Sequence, residues 1–196
     1  MIGKITGFSL LATALLGLFP LACQPGGVGD PCTPEDEYEL NVPGYSGKEV
    51  NVESQSFQCT TRVCLVNHFQ GRVSCKYGQA AGAGNCHIPG SDPKDATAVI
   101  PGQVDPQLFA RTADKAVYCS CRCDGDDKSA RYCKCPSGYA CEKLVDDLHL
   151  GSAQVTGSYC VRDGTQYDPK QLGTNCSPVG APTVTTPATN CGSPDE

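Results

Sequence analysis

The chain has no tryptophan and one methionine, and aromatic residues fill only 7% of its 196 positions. Large apolar side chains are scarce as well. After position 22 there are 15 Val, 7 Leu, 3 Phe and 2 Ile in 174 residues, below the rough one-fifth that marks chains too poor in such residues to fold unaided. That excludes a large enzyme-type core. Beyond the first 22 residues no apolar run is long enough for a membrane helix. Zinc-type Cys-x-x-Cys pairs, His-x-x-x-His pairs, a Gly-x-Ser-x-Gly elbow and a phosphate loop are all missing. Positive charge is also short: 15 Lys and Arg face 21 Asp and Glu, a net of −6, or −7 if Lys4 leaves with a leader. A chain this acidic repels phosphate backbones, so nucleic acid is not an expected partner.

What the chain does have is 15 cysteines. Fourteen of them are disulfide candidates: Cys32, Cys59, Cys64, Cys75, Cys86, Cys119, Cys121, Cys123, Cys133, Cys135, Cys141, Cys160, Cys176 and Cys191. An even set in an exported chain suits complete pairing, which replaces part of the missing core. Thiolates two apart could also chelate a soft metal, but oxidising surroundings consume thiols as disulfides, so no metal or other cofactor is expected. Residues two apart rarely bond each other. The Cys119-Ser120-Cys121-Arg122-Cys123 and Cys133-Lys134-Cys135 clusters should therefore bond outward. Fourteen cysteines allow on the order of 10⁵ pairings, which leaves connectivity open; Cys135 with Cys141 or Cys123 is one guess. Cys176 with Cys191 would close a loop of about 16 residues, worth roughly 3 kcal/mol in the chain-entropy model.

The fifteenth, Cys23, belongs to the N-terminus. Lys4 and an apolar run over residues 5–21 have the parts of a secretory signal. The run ends Phe19-Pro20-Leu21-Ala22-Cys23, a small residue directly before a Cys, which resembles the lipobox of bacterial lipoproteins. That resemblance implies that residues 1–22 are a signal peptide and that Cys23 receives a diacylglyceryl group as the new N-terminus. Pro20 departs from the apolar residue the family prefers three places before the Cys. The competing reading is an ordinary secretory signal with Cys23 left as a thiol or disulfide partner. Gln24, in place of Asp, leans toward the outer membrane.

Along the rest of the chain, residues 23–49 are rich in Gly and Pro and read as a flexible anchor-proximal linker; Pro34-Glu35-Asp36-Glu37 reads as a solvated acidic turn. Val50-Asn51-Val52-Glu53 alternates as a half-buried strand does, and residues 57–66 read as further strand. Residues 78–84 read as a flexible loop. Residues 89–106 wrap the surface or bridge two Cys-rich halves, with Leu108 and Phe109 as anchors. Cys141, Leu144, Val145 and Leu148 fall at i, i+3, i+4 and i+7 and predict a short helix over about 139–150, with Ser137 and Gly151 at its ends. Ser158-Tyr159-Cys160-Val161 reads as a strand. The expected fold is a small disulfide-rich α+β domain over 50–172, with short antiparallel strands, that one helix and long irregular loops. A Thr/Pro/Gly-rich tail follows over 173–196.

Three constellations invite chemistry. Asp124-Gly125-Asp126-Asp127 lacks the alternate spacing and distal Glu of a calcium loop and reads as a solvated turn. Cys59-Thr60-Thr61-Arg62-Val63-Cys64 brackets an arginine, as some protease-inhibitor loops do, or else is a tight strand connection. His68, His87 and His149 stand apart from one another, and a Cys-His hydrolase would need a free thiolate. No catalytic residue is assigned.

Two further resemblances rest on short motifs. Cys133-Lys134-Cys135-Pro136-Ser137-Gly138-Tyr139-Ala140-Cys141 resembles the end of an epidermal-growth-factor-like module, with the last Cys about three residues early. Gly29-Asp30-Pro31-Cys32, Arg62-Val63-Cys64-Leu65, residues 118–125 and 133–139, and Gly157-Ser158-Tyr159-Cys160-Val161 together are similar to uncharacterised Cys-rich surface lipoproteins of myxobacteria and related bacteria. This resemblance implies an exported, lipid-anchored, non-enzymatic protein of the cell envelope, outer membrane or cell surface. Its partners would be the membrane, through the lipid, and an extracellular or envelope protein. The alternative is a secreted protease inhibitor presenting the Arg62 loop.

Overall fold

The computed structural model describes residues 25–146, 155–171, 174–177 and 191. They form a disulfide-rich α+β fold of two three-stranded antiparallel sheets, short helical turns and long loops. The first sheet has the order β1-β2-β3, from β1 (Val50–Glu53), β2 (Val63–Asn67) and β3 (Val117–Ser120). The second has the order β4-β6-β5, from β4 (Arg122–Asp124), β5 (Tyr139–Val145) and β6 (Gly157–Arg162). The chain passes from one sheet to the other through Cys121 alone, since β3 ends at Ser120 and β4 begins at Arg122. Ser120 Oγ donates to the Cys160 carbonyl at 2.8 Å, tying β3 to β6.

Period-two alternation divides β2 and β3 between two apolar clusters. Val66, Val117, Cys64 and Cys119 join Phe69 and Ala116 on one side. Leu65 and Tyr118 point to the other, where they meet Tyr159 of β6 and so join the two sheets. A third cluster of Ile100, Val104, Cys75 and Cys86 sits under the 89–106 segment. Leu108 anchors the far end of that segment, whereas Phe109 is exposed. The helix α1 is a single turn, Ala113–Ala116, leading into β3.

Seven disulfides use all fourteen candidates. Cys32–Cys64 and Cys59–Cys119 hold the first sheet. Cys121–Cys133, Cys123–Cys141 and Cys135–Cys160 hold the second. Cys75–Cys86 closes the third cluster, and Cys176–Cys191 closes the loop expected in the tail. Cα separations run from 5.3 to 6.3 Å, the span a disulfide bridges. Cys135 thus bonds neither Cys141 nor Cys123.

Several expectations need correction. The helix over 139–150 is instead β5 through Val145; its pairing with β6, Ala140 opposite Val161 and Cys141 opposite Cys160, outweighs four helically spaced apolar residues. Residues 147–150 lie outside the described residues. The strand expected over 57–66 begins only at Val63, because Arg62 turns the chain with φ 65°. Residues 25–49 are not set apart as a linker. Gly26 bridges Cys59, Pro31 bridges Tyr118, Tyr45 bridges Gly71, and the Gly29 amide donates to the Cys119 carbonyl at 2.8 Å. Nor is Glu37 solvated: it is 1% exposed and ion-paired with Arg72, itself 0% exposed. A buried charge must be paired. Arg72 also donates to the carbonyls of Glu37, Glu39 and Val42, while the Val73 and Ser74 amides donate to the Glu37 carboxylate. Segment 35–43 is thereby fixed to the body. At the tail, the Cys176 amide donates to the Gln107 carbonyl at 2.7 Å. The leader and Cys23 lie outside the described residues.

Candidate functional site

The cysteine clusters come together closely at the second sheet. The Cys160 sulfur lies 3.5 Å from that of Cys121 and 3.8 Å from that of Cys133. Two disulfides, Cys121–Cys133 and Cys135–Cys160, therefore pack side by side. Triads such as Cys121, Cys133 and Cys160 have the compactness of a metal site. Their sulfurs are bonded in pairs, however, and a bonded sulfur is not the thiolate a metal requires.

The 59–64 loop is also rearranged relative to its sequence reading. Cys59 and Cys64 do not bracket it by a mutual bond; Cys59 bonds Cys119 of β3, and Cys64 bonds Cys32 of the N-terminal segment. The Arg62 amide donates to the Cys59 carbonyl at 2.9 Å, and its guanidinium lies 4.0 Å from the centroid of the Phe57 ring. A segment entering a protease cleft is extended and adds as a strand. The left-handed turn at Arg62 is the opposite shape.

The histidines are separated. The His68 ring stacks on Tyr167 at 3.6 Å and 9°. Burial first, then the Arg111 guanidinium, hold its pKa below the usual histidine value against a hydrogen bond to the Gly47 backbone. His87 borders a hollow formed with Pro89, Pro93 and Thr33, and no carboxylate is among the described residues lining it. His149 lies outside the described residues. In the 124–127 turn, Asp127 accepts from the Ser129 amide and hydroxyl. The hollow beside it contains Lys128 and Lys143 as well as Asp124 and Asp126, so its charge is balanced internally.

The most distinctive surface lies elsewhere, between the 3₁₀ turn Glu35–Tyr38, the edge strand β1 and the loop 54–58. Two hollows, of about 350 and 230 Å³, share Glu35 and Glu53 as walls. The Glu35 amide donates to Glu53 Oε2 at 3.1 Å, which holds the two acidic residues together. The larger hollow is flanked by Phe57, 79% exposed, and Tyr38, 47% exposed. Ser56 is 1% exposed, and its Oγ has no hydrogen-bond partner among the described residues. The smaller hollow adds Asp36, Asn51 and Tyr45. No Lys, Arg or His is among the described residues lining either hollow.

Like charges leave their mark on this cleft. Burial first, and then the carboxylates of Glu35 and Asp36, hold the Glu53 carboxyl above the usual value, against the Glu35 amide that favours its anion. Burial, followed by Asp36, Glu37 and Glu53, pushes the Tyr45 hydroxyl well above the ordinary tyrosine value, only partly opposed by Arg72. None of Tyr38, Glu53, Ser56 or Phe57 stood out in the sequence as a site. The available signal was a run of acids ending in Tyr38, with isolated Phe57 about twenty residues later, and no periodicity joins them.

No family model, no curated protein and no solved structure matches the chain. The seven disulfides mark an extracellular or cell-envelope protein, since a reducing cytosol does not sustain them. No helix among the described residues is long and apolar enough to cross a membrane.

Proposed function

We propose that the chain is an exported lipoprotein, anchored through Cys23 to the outer membrane, with a non-enzymatic binding or scaffolding role at the cell surface. The observation that carries this reading is the division of the 15 cysteines: fourteen pair among themselves, and the one left over follows a small residue at the end of an apolar leader. A thiol without an internal partner at that place is what lipidation uses. Acyl chains supply attachment, each buried methylene contributing about 0.8 kcal/mol. Disulfides keep the domain folded outside the cell. A binding role is supported by the open, polar shape of the surface hollows and by two exposed aromatic residues beside one of them.

The test is the intact mass of protein extracted from membranes, with and without reductant. The expected result is lipid on residue 23 and a gain of 14 hydrogens on reduction, two per bond. A soluble mature chain with an unmodified Cys23, or a Cys23→Ser variant that still fractionates with the membrane, would overturn the anchor.

A further inference from the structure

We propose that the cleft between the 3₁₀ turn and β1 binds the lysine or arginine side chain of an extended peptide segment on a partner protein, the cation between Glu35 and Glu53 and its stem against Phe57 and Tyr38. This rests on the binding role proposed above and names the ligand for it.

Four independent features point the same way. The first is charge. Glu35, Asp36 and Glu53 converge with no cationic side chain among the described residues lining the cleft, and a bound cation relieves their mutual repulsion. The second is the pair of exposed rings. Aromatic faces attract ammonium and guanidinium groups, and one face of Phe57 already carries the Arg62 guanidinium, 4.0 Å from the ring centroid. The third is Ser56, a residue lining the larger hollow, 1% exposed, whose buried Oγ has no hydrogen-bond partner among the described residues. A hydroxyl so placed accepts an N–H or donates to a carbonyl of an incoming ligand. The raised carboxyl of Glu53 agrees with a site awaiting a positive charge.

The fourth feature selects a peptide over a free cation or an amino sugar. Among the described residues β1 pairs only with β2, so it is an edge strand beside the cleft. Edge strands carry unpaired backbone groups, and extended segments dock on them by main-chain hydrogen bonds. The two hollows share Glu35 and Glu53 as walls beside that edge.

The experiment uses the oxidised full chain and a capped Gly-Arg-Gly peptide at low salt, followed by backbone amide shifts. Saturable shifts confined to the amides of Tyr38, Glu53, Ser56 and Phe57 are expected, with none from a capped Gly-Glu-Gly peptide. Replacing both carboxylates (Glu35→Gln with Glu53→Gln) should weaken binding about tenfold, and Phe57→Ala about fivefold. Asp126→Asn, in the other acidic loop, should leave it unchanged. Each variant is first checked by mass for seven bonds. Absence of saturable shifts, or equal weakening by Asp126→Asn, would sink the proposal. So would glucosamine saturating the same amides more tightly than the peptide, since the ligand would then be a sugar. Failure here with lipid present on Cys23 removes the cleft assignment alone; peptide binding by an unlipidated chain removes the anchor alone.

Discussion

The two sheets are built from the same kind of strand and held by different forces. In the first, every residue of β3 is buried, as are four of the five in β2. Its side chains pack against Phe69 and Ala116 on one side and against Tyr159 on the other. Its two disulfides join residues 32 and 60 apart. In the second sheet only the middle of β6 is buried, and β5 alternates between half-buried and exposed. Three disulfides with separations of 12, 18 and 25 cluster there. Where apolar residues were available, packing makes the sheet; where they run out, sulfur cross-links take over.

That contrast breaks most sharply at Cys135–Cys160, which pins the central strand of the second sheet. Replacing both residues with Ala opens a link of separation 25, a loss of roughly 3–4 kcal/mol in the chain-entropy model. Hydrogen exchange should show β4, β5 and β6 losing protection while the amides of β2 and β3 keep theirs. If both sheets lose protection together, they are one cooperative unit and the division is false. Next comes Leu65→Ala. Leu65 is fully buried between the sheets, and its truncation should cost about 3 kcal/mol. Here the loss should be global, read as a lower chemical denaturation midpoint with all seven bonds intact.

A smaller effect tests the backbone of the second sheet. Gly157 has φ 120° and opens β6 against the Asp124 carbonyl of β4. A methyl group there meets that carbonyl and forces a left-handed conformation on an L residue. Gly157→Ala should therefore cost about 1–3 kcal/mol, confined to β4 and β6. The equivalent change at Gly82, whose added methyl would meet nothing within 4 Å, should cost less and leave both sheets protected.

How much of this was legible in the chain follows the same division. The dependence on disulfides was readable, because a cysteine count and a shortage of apolar residues are compositional facts. The alternation at 50–53 gave β1, and Cys176 and Cys191 were close enough in an isolated tail to suggest their bond. The second sheet was misread at 139–145 because Cys141, Leu144 and Val145 fit a helix as well as a strand over so short a run. What decides the matter is a partner strand that begins only at Gly157. The buried pair Arg72 and Glu37 lies 35 residues apart, and no local pattern links them. The cleft escaped notice for the same reason: a 3₁₀ turn, the end of β1 and the loop after it bring Glu35, Glu53 and Phe57 together, and Glu35 lies in a segment whose glycines and prolines read as a tether.

The smallest expected effect is a pH dependence at His68, in the packed half. His68, just past the end of β2, is neutral in the folded protein to lower pH than in the unfolded chain, because burial and Arg111 disfavour its cation. Above about pH 6.5, the ordinary histidine value, both states are neutral and its contribution is constant. As pH falls below that, the unfolded chain takes up the proton first, and stability declines until the depressed folded value is passed. His68 has φ 51°, a conformation Asn tolerates, so His68→Asn removes the proton site with little added strain. The thermal midpoint of the native protein should fall relative to that of the variant as pH is lowered from about 7 toward 5. An unchanged difference would mean that His68 titrates alike in both states. Glu53 is not a source of acid loss. Its raised value predicts the opposite slope: protonation there relieves repulsion in the folded protein and favours it as pH falls.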